Sequence, residues 1–455
     1  MRPRSATRSP ASRPAFSYGV SIAALVIVIS MLMESAARAE EGPNSPPKYL
    51  GVVTCAGSTC HGAGHPVGDA RIKQTEFLSW HRDDAHSKAY RVLIEEKGQR
   101  IAHKLGLASA ANAPECLSCH ATFVPAEVRG KRFQLSDGVG CESCHGPASK
   151  WLGQHVTGEA SREDNIKAGM LRTEEPVVRA ALCLSCHLGS QDKFANHRLM
   201  GAGHPRLSFE LDTYTLLQPA HYRVDADYRE RKQLASHVRV WAIGQTAAAI
   251  RTFELFTSDK WAGTGVLPEF AFFDCHACHH PLTEPRWAAR ATSGLPPGVP
   301  RINDAHVLML LYLTKVSAPA LAEHLHKALL DLHQASNQSR DATLTAAKLM
   351  QGVLKQVQDH VRGHNFSNDE TFSILDSLVK GGSGGEYRDF AAAEQAIMGV
   401  HALVDSLNEA KHWNTTQNTA IADHIKKLYG LLADQNAYQP AQFSGEMQTL
   451  AAALK

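Results

Sequence analysis

The sequence predicts a mainly α protein in two parts: a cysteine- and histidine-rich part with little strand over 49–292, then a helical bundle over 301–455. Three observations predict it. All ten cysteines lie before residue 280, in short turn-forming stretches. The period-two alternation that marks a strand is thin in that part. From residue 303 onward there is no cysteine and only one proline, Pro319, before Pro440, and apolar residues recur at helical spacing. Of 455 residues, 44% are hydrophobic and 20% charged, which excludes a disordered or collagen-like chain. A net charge of +2 carries no nucleic-acid signature.

The first element is an address. Arg2, Arg4, Arg8 and Arg13 precede the uncharged apolar stretch Val20 to Met33, and Ala37-Arg38-Ala39 follows. That order predicts a cleaved secretory signal over 1–39 and an exported, periplasmic protein. The apolar run is short for a membrane span of roughly 20 residues. Cleavage removes five of 47 basic residues and one of 45 acidic ones, leaving 42 and 44. The basic excess therefore belongs to the signal. Residues 40–48 read as a linker rich in Pro, Gly and Asn.

The cysteines then come in five pairs, and a histidine follows each pair at once. Cys116-Leu-Ser-Cys119-His120, Cys141-Glu-Ser-Cys144-His145, Cys183-Leu-Ser-Cys186-His187 and Cys275-His-Ala-Cys278-His279 share one spacing. Cys55-Ala-Gly-Ser-Thr-Cys60-His61 is wider by two residues. Cys-x-x-Cys-His is the pattern of covalent c-type haem attachment. Two thiols add to the vinyl groups on one porphyrin edge, so they need a fixed, short separation. The next histidine swings under the ring as an axial iron ligand. Zinc ligation or disulfides give no reason for histidine to follow every second cysteine. The expectation is five covalently bound c-type haems, with His61, His120, His145, His187 and His279 as proximal ligands.

Of the 25 histidines, twenty remain, and a low-spin haem needs a second axial ligand from among them or from the few methionines. Residues 74–107 read as a helix on which His86 shares a face with Ala89, Tyr90 and Leu93, while His81 has a wetter face. His155 lies just after the third attachment site. Gly62-Ala-Gly-His65-Pro66 recurs as Gly201-Ala-Gly-His204-Pro205, which marks His204 and, less strongly, His65; His197 competes with His204. His306 follows the helix-start signal Asn303-Asp304 and shares a face with Met309, Leu310 and Leu313. His221 and His237 are alternatives. His324, His326, His333, His360, His364, His401, His412 and His424 read as surface or interhelical residues.

A breaker cluster at 293–300 separates the two parts. Helices are predicted over 306–315, 318–335, 341–362, 369–380, 387–410 and 420–433, with a short one near the end. Gly381 to Gly385 interrupts the series. Together they predict a bundle.

Several stretches resemble the family of tetrahaem cytochromes c that accept electrons from hydroxylamine oxidoreductase in nitrifying bacteria. Phe77-Leu-Ser-Trp80 with Asp84-Ala-His86-Ser-Lys-Ala89 is similar to that family's Trp and ligand-His helix. Gly138-Val-Gly-Cys141-Glu-Ser-Cys144-His145-Gly-Pro147 is similar to its third haem site, and Gly153-Gln-His155 and Cys183-Leu-Ser-Cys186-His187-Leu188 also fit in place and order. The resemblance covers 49–190, about a third of the chain. It implies that His155 caps the haem on His61, that His86 caps the haem on His145, that the haem on His120 is five-coordinate, and that the haem on His187 is six-coordinate. The chain departs from the family in its wider first site, its fifth site and its C-terminal helices.

The expected function is periplasmic electron transfer between redox partners through closely packed, mostly bis-His haems. Redox proteins or quinol-linked donors and acceptors are the expected partners, with no nucleic acid. Association with a membrane complex or with a second copy of the chain is open. The alternative is an oxidoreductase acting on a small nitrogen or sulfur species at an open haem on His120. Arg129, Lys131 and Arg132 nearby suit an anion or, more simply, haem propionates.

Overall fold

The seven long helices of the C-terminal part form where apolar residues recur every three to four positions. In the computed structural model they are Ala305–Ser317, Pro319–Ser336, Arg340–Gly363, Asn368–Ser383, Phe390–Glu409, Thr415–Gly430 and Pro440–Ala453. Local chemistry fixes their starts. Pro319 and Pro440 occupy first-turn positions, where the missing N–H costs nothing. Ser367 and Asn414 close reciprocal capping boxes with Glu370 and Gln417. The structure describes residues 45–66, 68, 72–158, 160–232, 234–262, 268–279, 290, 295 and 299–455. The signal at 1–39, residues 40–44 of the linker and most of the breaker cluster at 293–300 lie outside the described residues. Among the described residues there is no strand, only three isolated bridges, and no helix long and apolar enough to cross a membrane.

The bundle is built around a helix that the sequence reading missed. His237–Phe256 is buried on nearly every side through Val238, Trp241, Ala242, Ile243, Gly244, Ala248, Ala249 and Phe253. An all-round apolar helix has no stripe for a periodicity argument to find, but it is the mark of a buried helix. It packs on Arg340–Gly363, Ala305–Ser317, Phe390–Glu409 and the Pro176–His187 helix that carries the fourth cysteine pair. One apolar cluster consequently runs from Ala180 to Leu454. Lys48–Lys455 forms one compact unit.

Several buried polar side chains in this core are paired. Gln245 Nε2 donates to Gln395 Oε1 at 2.8 Å, Gln395 Nε2 donates to the Phe209 carbonyl at 3.2 Å, and Gln245 Oε1 lies 2.7 Å from His306 Nδ1. A second cluster joins Arg290, Arg301, Asp274, Asp304, Asp389 and His333. Arg301 spans Asp389 at 2.7 Å and Asp274 at 3.1 Å, Arg290 contacts Asp304, and His333 Nε2 lies 3.0 Å from Asp304. It holds Asp274, directly before the fifth cysteine pair, against the bundle.

The N-terminal part is made of short helices and turns. The single helix expected over 74–107 is a correction. It is split into Glu76–Asp83, a 3-10 turn Ala85–Lys88, Arg91–Ile94 and Glu96–Lys104. Asp84 and Glu95 adopt extended backbone at the breaks. At Asp84 the carboxylate accepts the His86 N–H at 2.9 Å, which starts a new turn instead of continuing the helix.

Candidate metal centres

Four of the five cysteine pairs sit on short helices: Pro114–His120, Cys141–His145, Pro176–His187 and Cys275–Cys278. Cysteines three apart share one helix face. The following histidine lies at or just past the helix end. The wider first pair reaches the same closure through a turn. The Cys60 N–H donates to the Gly57 carbonyl at 2.9 Å, and the His61 N–H reaches back to the Cys55 carbonyl at 3.2 Å. Gly62 lies so close to this turn that a Cβ there would stand 2.0 Å from the Ala56 carbonyl oxygen.

Each of the five histidines that follow a cysteine pair faces one other histidine. His61 faces His155 with ring centres 6.1 Å apart, and His187 faces His86 at 6.1 Å. His120 faces His204 at 6.3 Å, His145 faces His221 at 6.4 Å, and His279 faces His197 at 6.1 Å. Two imidazoles bound at about 2 Å to opposite sides of one metal, each ring centre roughly 1 Å beyond its nitrogen, stand roughly 6 Å apart. The five spacings therefore fit a metal held between each pair. The ring planes are 8° and 27° apart at His61/His155 and His197/His279, and 81–85° apart at the other three.

The second ring nitrogens support the same use. His61 Nδ1 lies 3.1 Å from Glu76 Oε2, and His86 Nδ1 lies 2.9 Å from Asp84 Oδ1. His120 Nδ1 lies 2.9 Å from the Ala89 carbonyl, and His204 Nδ1 lies 2.8 Å from the Pro205 carbonyl. An Nδ1–H donated to oxygen fixes the ring and leaves Nε2 as the metal-facing atom. Burial alone would raise the Asp84 carboxyl. The His86 ring and backbone N–H, with the Gln218 amide, instead bring it down to about 2. Burial pushes His145 down to about 4, helped by the nearby His221 and His61, so its ring is neutral at ordinary pH, the form that can bind a metal.

Neighbouring sites are stitched together. The buried Glu142 carboxylate, inside the third motif, accepts the N–H groups of Leu50, Gly51 and Ala148, each at 2.8 Å. Thr122 Oγ1, two residues after His120, lies 2.7 Å from Ser143 Oγ. Lys193 Nζ donates to the Ser118 carbonyl at 2.8 Å and contacts Cys186 Sγ at 2.9 Å, joining the second and fourth sites. A cavity beside Cys275 is lined by Phe194, Met200, Arg206, Asp274 and Phe390 among others.

These placements correct three expectations. His86 faces His187, not His145, because the turn begun at Asp84 carries it to the fourth site. His120, expected to be without a facing histidine, has His204 opposite it with ring centres 6.3 Å apart. His306 meets none of the five proximal histidines. It is bound into the core through Gln245, and burial holds it neutral with its pKa near 4. His221 and His197, named only as alternatives, face the third and fifth proximal histidines. No sequence signal pairs them, because each comes to its partner through the tertiary fold. His65 is exposed and has no such partner among the described residues. His333, His360, His364, His401 and His424 make hydrogen bonds to other helices or loops of the bundle, as interhelical residues do.

No curated protein and no solved structure matches the chain. Residues 51–146, which hold the first three cysteine pairs, match the family model of cytochrome c554 and c-prime. That match supports a multihaem c-type cytochrome with covalently bound haem and a part in electron transfer.

Proposed function

We propose that the chain is an exported pentahaem cytochrome c that relays electrons between redox partners. Each cysteine pair anchors one haem. His61 with His155, His120 with His204, His145 with His221, His187 with His86 and His279 with His197 would hold the five haem irons. The observation that carries this is the matching of every proximal histidine with one distal histidine at 6.1–6.4 Å. When bound, the haem irons supply one-electron chemistry. Two histidines at each iron would leave no coordination site for a substrate, which favours transfer over catalysis. Glu76, Asp84 and two carbonyls hold ligand rings in one orientation. The Glu142, Thr122 and Lys193 contacts keep adjacent sites at fixed spacing. Redox proteins or quinol-linked enzymes are the proposed partners.

The test is intact-protein mass spectrometry of the full chain made in a haem-attaching host. Five haems are expected, and each Cys-to-Ser pair variant should lose one. Zinc in place of haem, or fewer than five haems on the wild-type chain, overturns the proposal.

A further inference from the structure

His197 and His204 lie on one short segment, yet they face different sites. Asn196 caps the His197–Gly201 helix through the Leu199 N–H at 2.9 Å. The chain then turns at Gly203, whose φ of 114° suits glycine, and the His204 N–H returns to the Leu199 carbonyl at 3.3 Å. The helix spans roughly 7 Å. The three residues to His204 add at most about 10 Å. The two ligands are therefore close neighbours.

The His197 end of the segment is tied to elements of both sites. The His197 N–H donates to Glu269 Oε1 at 2.7 Å. The same oxygen accepts the Ala271 N–H at 3.2 Å, in the turn that leads into Asp274 and Cys275. The Phe270 ring packs on His197 at 5.6 Å. Arg198, next to His197 on the same helix, donates from Nη2 to the Leu105 carbonyl at 2.7 Å, which ties the segment toward the second site. Leu105 closes the Glu96–Lys104 helix, whose Ala102 packs in one apolar cluster with Leu117 of the second site. His204 Nδ1 is held by the Pro205 carbonyl.

We propose that residues 196–205 form a bridge that wires the fifth site in series with the second. Glu269 and Arg198 are its positioning residues. The transfer is one electron: one site is oxidised as the other is reduced, with no bond made or broken and no proton moved. The inference rests on the haem-bearing reading above. It makes the fifth haem an added station on the relay, entered through the second.

The experiment is a spectroelectrochemical and EPR titration of the haem-loaded full chain. His197→Ala should turn one low-spin haem high-spin, and His204→Ala should do so for a different one. His197→Gly with added imidazole should recover the low-spin signal. Glu269→Ala should shift the potentials of those same two haems and leave three unchanged, and Glu269→Gln, which keeps an acceptor oxygen, should restore them. Five bound haems that all stay low-spin in His197→Ala would overturn the bridge, as would a Glu269→Ala shift confined to one haem or spread over all five. Fewer than five haems in the wild type would instead overturn the underlying reading.

Discussion

Glu142 shows how much a single side chain inside an attachment motif can hold. Its carboxylate is 6% exposed and accepts three backbone N–H groups from two separate segments. Buried N–H groups left without an acceptor cost about 1–3 kcal/mol each. Glu142→Ala should therefore destabilise the chain by about 3 kcal/mol or more, measured by urea unfolding. A loss below about 1 kcal/mol would show that water replaces the carboxylate. Gly138 is a second such position. Its φ is 74°, and a Cβ there would meet the His86 carbonyl oxygen at 2.6 Å. Gly138→Ala should displace His86 and alter the spectrum of one haem, the one on His187. The chemistry of the cysteine pairs was legible from the sequence because attachment demands local spacing. Which distal histidine faces which proximal one was not, because that is a property of chain crossings. The family resemblance assigns His86 to the third site, whereas the structure places it, next to the helix break at Asp84, opposite His187 of the fourth.

At the scale of elements, the bundle helices were legible in number and order, with bounds off by up to five residues at Thr415–Gly430 and the last helix, Pro440–Ala453, longer than expected. Their stripes of Leu, Ile, Val and Ala and their caps point the same way, although the helix expected to break from Gly381 continues to Ser383 and ends at Gly384. The His237–Phe256 helix was not, since it lacks a polar face. Its packing leaves little room: a Cβ on Gly399 would stand 2.8 Å from Trp241 Nε1. Gly399→Ala should cost about 1–3 kcal/mol, read as a lowered Tm, because overpacking a full core forces neighbours off their rotamers. The His306–Gln245–Gln395 ladder is expected to give the bundle a pH dependence. Burial holds His306 at about 4 in the folded chain, against about 6.5 for an ordinary histidine. Between those values the unfolded chain takes up a proton that the folded chain refuses. Stability should fall as pH drops from about 6.5 to about 4, by up to about 3 kcal/mol from this group. His306→Gln should flatten that part of the stability curve, and an unchanged slope would assign it to other groups.

Over the whole molecule, the haem-bearing part and the bundle share one apolar core from Ala180 to Leu454. The bundle thereby fixes the fifth site, through the Arg301 and Asp274 pair and the Phe390 side of its cavity. In the proposed reading, five histidine pairs carried on one compact unit suit an electron relay. The central claim is that all five irons are closed by two histidines. EPR of the fully oxidised, haem-loaded chain tests it most directly. Parallel imidazole planes give rhombic low-spin spectra and perpendicular planes give spectra with one large g value. The expected result is five low-spin ferric haems, two of the first kind and three of the second, matching the two small and three large ring-plane angles. They should show no shift on adding cyanide, nitrite or hydroxylamine. A high-spin ferric signal that moves with any of these ligands would contradict the account and place an open, reactive haem in the chain.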